Sequence, residues 1–423
     1  LLGFVSRWCL LRGRFQIRAF DFPQADRDCL ARVVNERTAA FLAPNHPEFG
    51  LDWMMDKEIS TLVAPRMASW ASHGIVASAP RFWTRNNLVS NNGGEAARNY
   101  SIAWAMRGYG VLLHPEGSVH WTANTIHPPF HGIAEMATEA ARRLAAEESD
   151  RPVFIVPIVW KYHYANDVST KIHREMATIE RALSLESGGH LGVAERFCAL
   201  QGNVLSRQMV KFGFNGGVTD ADFFSRQQAF RRHLVDDLAS SYAIEPGASV
   251  DRAISRLEKA ITRARENAAG NATLTAQLDR DRAKVEEAKR LGGFSRDVYG
   301  TPRLSQEQIF ESLKRLRASL LNRGLANTLH NYLPAPYGPR IAHVRVPEPL
   351  VVDPRRASGD ATERAAYVES LIEQTHTRMQ DALDAINREL AADVRSLSHP
   401  NPFVDCQDAC GGPHADDRAL RPS

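Results

Sequence analysis

Asn45-His46-Pro47-Glu48-Phe49-Gly50-Leu51-Asp52 is the stretch of this chain whose residue types could do chemistry. The apolar run Phe41-Leu42-Ala43 leads into it, and the helix-like run from Trp53 to Ile59 leads out. A His and an Asp placed where a strand gives way to a helix suit a general base and the carboxylate that orients it. Five residues, Pro47 to Leu51, lie between them. On one continuous helix that spacing puts them on different faces, because helical neighbours lie three or four apart. The pairing therefore requires the segment to turn before the helix begins, and Pro47 and Gly50 allow such a turn. Taken alone, His46 also reads as a loop residue and Asp52 as an ordinary N-cap.

A second stretch, Glu116-Gly117-Ser118, follows the short apolar run Val111-Leu112-Leu113 through His114-Pro115. Gly117 would let a ligand approach the backbone closely, and N–H groups at a turn there could hold a phosphate. Arg85, just after Phe82-Trp83, carries a fork that suits the same phosphate. A strand-ending turn and a surface Arg are the alternatives. His114, His120, His127 and His131 crowd this region, but Pro128-Pro129 interrupts the last pair, and no metal is expected. Cys406 and Cys410 with His414 match no standard zinc spacing and sit in a Gly/Pro/Asp-rich tail of the kind that stays disordered. The five Cys are odd in number and mostly scattered, which points to reduced thiols and a cytosolic setting.

The bulk composition narrows the class. A chain of 423 residues with 43% hydrophobic and 24% charged residues can bury a full core. A net charge of +3 is too small to argue for nucleic acid, though Arg residues could form a local patch against anionic lipid or phosphate. No run approaches the roughly 20 apolar residues of a membrane span. Residues 1–20 mix Leu1, Phe4, Trp8, Leu11 and Phe15 with Arg7, Arg12, Arg14 and Arg18. They read either as a segment lying at a membrane surface or as a packed arm, and they lack a signal-peptide cleavage pattern.

The elements that must position these residues alternate. Helical spacing covers 24–40, 53–72, 94–107 and 132–147. Strand-like runs occupy 41–43, 74–78, 111–113 and 152–160, so an α/β layered domain is expected. After about residue 170 the texture is helical, with a hairpin near 251–291 broken at Gly270-Asn271 and a capping box at Ser305 and Gln308. Strand texture returns at 341–352 and a last amphipathic helix covers 361–390. The expected division is an N-terminal basic and apolar arm (1–23), a core (24–170), a large helical insertion (171–340), the last strand and helix of the core (341–395), and a disordered tail (396–423).

Together these stretches resemble the glycerolipid acyltransferase family of the 1-acylglycerol-3-phosphate acyltransferase type. Its four motifs occur in order. Asn45-His46 with Asp52 stands for Asn-His-x4-Asp, with one more intervening residue than usual. Arg81-Phe82-Trp83-Thr84-Arg85 stands for the aromatic stretch ending in Arg. Pro115-Glu116-Gly117-Ser118 stands for Pro-Glu-Gly-Thr/Ser, and Val153 to Val159, centred on Pro157, for the apolar strand with a central Pro. Pro129-Phe130-His131-Gly132 and Val346-Pro347-Glu348-Pro349-Leu350 match two supporting stretches. The resemblance covers roughly residues 38–165 and, more weakly, 341–390.

The resemblance implies a glycerolipid-acyltransferase-like α/β fold and an O-acyltransferase without a cofactor. It would move a fatty acyl group from acyl-CoA or acyl carrier protein to a lysophospholipid or another phosphate-bearing alcohol, at a membrane surface. His46 would be the base and Asp52 its orienter. Arg85, Glu116, Gly117 and Ser118 would bind the acceptor's phosphate-bearing part, and Pro157 would lie on the acyl-donor side. An inactive lipid-binding scaffold on the same fold and an acyl-thioester hydrolase are the competing expectations.

Overall fold

The computed structural model describes residues 5–63, 66–117, 119, 122, 124–215, 222–244, 250–268, 271–393 and 397–404. The chain forms two compact units, Leu1–Val168 with Asn322–Leu397, and Ser169–Leu321 with Ser398–Ser423.

The first unit is a mixed α/β domain on a sheet of 8 strands. These are β1 (Ile17–Asp21), β2 (Ala39–Pro44), β3 (Ala68–Ala71), β4 (Leu88–Ser90), β5 (Val111–Leu112), β6 (Val153–Tyr164), β7 (Arg340–Arg345) and β8 (Leu350–Val351). Their order is β1-β7-β6-β2-β5-β3-β4, with β8 also on β6. β2 to β6 run parallel to one another, while β7 and β8 run antiparallel to β6. Central parallel strands are covered on both faces and so read as unbroken apolar runs. Every residue of β2 is buried.

Alternation along β2 separates the two faces. Ala39, Phe41 and Ala43 pack with helices α3 (Gly94–Met106) and α4 (Gly132–Ala146) and with the long helix Ala361–Ala392. Ala40 and Leu42 pack with the segment Val5–Arg14 and with helices α1 (Gln24–Val33) and α2 (Phe49–Val63). α4 presents Ile133, Ala137, Ala140, Ala141 and Leu144 to the sheet at helical spacing. Asp360 caps the long helix in a box with Glu363.

Connection matters more than content here. From β2 the chain crosses by α2 on one face to β3. From β5 it returns by α4 on the other face to β6. β2 and β5 are hydrogen-bonded neighbours, so the crossings diverge between them. In open α/β sheets, the crevice beyond the carboxyl ends of such a strand pair is where ligands bind. His46 and His114 lie just beyond those two ends.

Pro157 is buried in β6 opposite Ala43. The even-numbered residues of β6 turn their N–H groups to β2 and the odd-numbered ones the other way, where Val352 N–H donates to Val153 O. Pro157 therefore lacks its donor where β8 has ended and β7 has not begun, which makes Pro tolerable in a central strand.

Several expectations need correction. The run 74–78 is a helix, His73–Ser78, with no buried residue, and the strand is Ala68–Ala71, expected to be helical. An isolated apolar run of that length fits either period. The first helix ends at Val33, since Ala39 and Ala40 belong to β2. Of the expected arm, residues 5–23 belong to the first unit. Leu11, Phe15 and Ile17 are fully buried, and Ile17–Asp21 is a strand of the sheet. Residues 322–340, placed in the insertion, return to the first unit, where Gly324–Tyr332 packs on α2.

The second unit is helical. Its hairpin, Val250–Asn267 and Ala272–Gly292, also packs on Phe223–Ala239 around Phe230, Leu234, Leu257 and Leu278, so it is not an arm resting only on itself. Arg196 and Glu180 form a buried pair. Ser398–Pro400 pairs antiparallel with Arg303–Ser305, and Asn401 is fully buried, donating to the Tyr299 and Thr301 carbonyls. The start of the expected disordered tail is therefore structured. Cys406, Cys410 and His414 lie outside the described residues, and Cys9, Cys29 and Cys198 form no disulfide among the described residues. Among the described residues, no helix is long and apolar enough to cross a membrane.

Candidate active site

Asn45 is where β2 ends and the chain turns. Its backbone N–H still donates to Ile158 O. Beyond it the side-chain amide takes the backbone's place, donating to Trp160 O at 3.0 Å and accepting from Trp160 N–H at 2.9 Å. β6 thus stays paired while the main chain leaves the sheet at His46.

Helix α2 begins at Phe49, past a bend at Pro47 and Glu48, and this answers the spacing problem. His46 Nδ1 lies 2.9 Å from Asp52 Oδ2. Asp52 is fully buried, at the first turn of α2, where the helix dipole favours an anion. Its Oδ2 also accepts the Glu48 N–H at 2.7 Å, and its Oδ1 accepts Trp160 Nε1–H at 3.0 Å and the Tyr162 hydroxyl at 2.7 Å. Burial pushes the Asp52 carboxyl upward, while His114, Tyr162 and the Glu48 amide pull it back. With four surrounding donors, the carboxylate is the form that fits. Asp52 then holds a proton on His46 Nδ1 and leaves the ring's lone pair on Nε2.

A second His–Asp pair lies against the first. His114 stacks on His46 with ring centroids 4.1 Å apart and planes at 17°. Its Nδ1 lies 3.0 Å from Asn45 O, and its Nε2 lies 3.2 Å from Asp56 Oδ2. Asp52 and Asp56 are one helical turn apart, which puts both carboxylates on one face of α2. Burial opposes a charge on His114, but Asp56, with Asp52 and the Asn45 carbonyl, carries its pKa up to about 9. Both ring nitrogens meet acceptors, as an imidazolium requires.

Linkage turns this into a stability prediction. A pKa raised on folding stabilises fully below the unfolded value and loses that stabilisation as pH rises through the folded value. A rise from 6.5 to about 9 is worth on the order of 3 kcal/mol at ~1.4 kcal/mol per unit. Urea unfolding of the wild type should show that much decline between pH 6.5 and 9, and His114→Gln should lack it. An equal decline in both proteins would contradict the assignment.

Glu116 faces inward. Its two oxygens accept the His46 N–H at 2.6 Å and the His127 N–H at 3.0 Å. It is only 4% exposed, and burial lifts its pKa to about 7. The resemblance expects Glu116 to meet the acceptor's phosphate-bearing part; in the structure its carboxylate ties the His46 loop to the loop carrying His127. Gly117 has φ +70°, and a Cβ there would lie 2.6 Å from the Phe130 ring. Gly117→Ala should lower stability by about 2 kcal/mol or more from left-handed strain plus this clash, read as a lower urea midpoint.

The remaining expected residues divide. Ser118 and His120 lie outside the described residues. Arg85 ends the exposed helix Pro80–Arg85 and makes no hydrogen bond or ion pair among the described residues. Its neighbour Trp83 meets Trp53 of α2 edge-on at 5.3 Å. His131 pairs with Glu369 away from His114, and no group of three or more metal-ligating side chains occurs among the described residues. A cleft lined by Arg98, His131, Glu135, Glu139, Arg143 and Glu369 opens between α3, α4 and the long helix, on the other side of the sheet from α2. Its charges pair with one another.

Sequence reading named His114 only among the crowded histidines, without its stack on His46, and missed Asp56, Tyr162 and the role of Asn45. Two signals were present. Asp52 and Asp56 share a helix face, and Trp160 and Tyr162 share a strand face.

A scan of the sequence against protein-family models finds no match, and a search of the curated proteins finds none.

Proposed function

We propose that this chain is an O-acyltransferase of the glycerolipid type, with His46 as general base. The observation that carries the reading is the His46–Asp52 dyad, closed at 2.9 Å at the switch point of the sheet despite its extra intervening residue. In the reaction, Nε2 of His46 takes the proton from the acceptor hydroxyl as its oxygen attacks the thioester carbonyl. The new C–O bond forms, the C–S bond breaks, and the departing thiolate recovers the proton from His46. Asp52 keeps the imidazole in the required tautomer and offsets the charge it gains.

The surroundings of α2 support a membrane-borne acceptor. Residues 1–20, 59–94 and 322–347 contain no Asp or Glu. They include Val5–Arg14 and Gly324–Tyr332, which pack on α2, and Pro80–Arg85 with its Trp83–Trp53 contact. Trp8, Leu62, Phe82, Leu325, Leu329 and Tyr332 are exposed there, among Arg7, Arg12, Arg81, Arg85 and Arg323. Arg7 is held by Glu58 of α2, and the excess of Arg over acidic residues beside these apolar side chains suits an anionic lipid interface.

The test is transfer from labelled long-chain acyl-CoA, and separately from acyl carrier protein, to lysophospholipids in vesicles, with His46→Ala alongside. Transfer lost in the variant is the expected result. Thioester cleavage without acceptor would make the chain a hydrolase. No turnover of either donor would sink the reading.

A further inference from the structure

We propose that His114, paired with Asp56, is a positioning residue that sets the protonation state of His46. This rests on the reading of His46 as the base, but its measurement does not require turnover. The argument is one of charge. α2 presents two carboxylates one turn apart: Asp52 contacts the His46 ring, and Asp56 contacts His114, which stacks on that ring. Two anions beside one imidazole would hold it as an imidazolium, and a protonated His46 cannot accept a proton from a hydroxyl. The stacked His114 ring supplies the missing cation. It neutralises Asp56 through Nε2 and places a positive charge 4.1 Å from His46, which opposes protonation there. The groups facing His114 are Asp52 and Asp56 from α2, His46 and the Asn45 carbonyl from the end of β2, Trp160 from β6, and Glu116 from its own loop. His114 is the one standing cation among them. The edge of Trp160 against His114, at 5.9 Å, and the Nδ1 contact to Asn45 hold the ring in its stack.

The experiment is NMR titration of the His ring protons in the full chain, with His46 and His114 assigned by substitution. In the unmodified chain, His114 should remain charged across the range in which His46 titrates. In His114→Gln, the His46 midpoint should rise by about one pH unit or more, as expected for loss of a like charge at contact distance. In Asp56→Asn with His114→Gln, which removes one charge of each sign, it should return to near the wild-type value. If transfer is observed, the acid limb of kcat/KM should move with these midpoints. A His114 already neutral where His46 titrates would overturn the proposal, and this measurement stands even if His114→Gln fails to fold. An unchanged His46 midpoint in His114→Gln would overturn it as well. Failure of the acyltransferase assay with shifting midpoints would instead remove the reaction and leave the electrostatic device.

Discussion

Asp52→Asn should lower kcat by about 10³–10⁴-fold, the scale on which an orienting carboxylate acts on a catalytic His. The amide has one acceptor oxygen where the carboxylate has two, and all four of its neighbours donate. If the amide NH2 faces His46, it drives the ring to the other tautomer and takes the lone pair from Nε2. If it faces Trp160 and Tyr162, His46 keeps its tautomer but forms an imidazolium with no anion in hydrogen-bond contact. Either way the transition-state charge is uncompensated, so the loss should appear in kcat with little change in KM. Circular dichroism and the urea midpoint should show a folded protein. Activity within tenfold of wild type would mean that the dyad does not carry the reaction.

Arg340→Met should be the most destabilising substitution near the site, at about 3–5 kcal/mol, because it strands a buried charge. Glu48 and Arg340 are 4% and 3% exposed, and Nη1 meets Oε2 at 2.6 Å. The other arms of the guanidinium donate to Phe15 O, tying β7 to the start of β1. Glu48 supplies the amide that donates to Asp52, so a shift of Glu48 would reach the dyad. Glu48→Met with Arg340→Met should recover most of the lost stability, since a packed apolar pair replaces buried ions with small penalty. Urea denaturation of both variants decides this. A double variant no better than the single would show that Arg340 acts through the Phe15 carbonyl instead.

Local chemistry was legible in this sequence, and long-range geometry was not. His46 and Asp52 stood out by type, yet their separation counted against them, because the pairing depends on α2 starting at Phe49. Gly50 helps fix that start. A Cβ there would lie 1.7 Å from the Tyr332 carbonyl, a contact made with a segment from far along the chain. The apolar runs of β2 and β6 announced strands of a layered sheet, and the structure shows them paired in parallel. The run 74–78 misled for the opposite reason, being too short to fix a period. Glu116 was found by its motif, but nothing in Pro-Glu-Gly says that the carboxylate turns in to two backbone amides. Arg340 lies 292 positions from Glu48, a distance at which residue spacing carries no signal. No homologues were needed to see His114 beside the motif, but its partner Asp56 emerges only once α2 is built.

The late return of the chain to the sheet has a consequence for synthesis. β2, α2 and β6 are all complete by Tyr164, so the His46–Asp52 contact can form early. β7 cannot reach β6 until residues 169–321 have been made, which takes on the order of ten seconds or more at about 5–20 residues per second. During that interval Val159–Tyr164 lacks the neighbour that later covers it, and Glu48 waits without its counter-ion. The nascent chain thus passes through a stage that holds the dyad yet offers an open strand edge to other chains. Such a stage is prone to aggregation and is a natural client for chaperones.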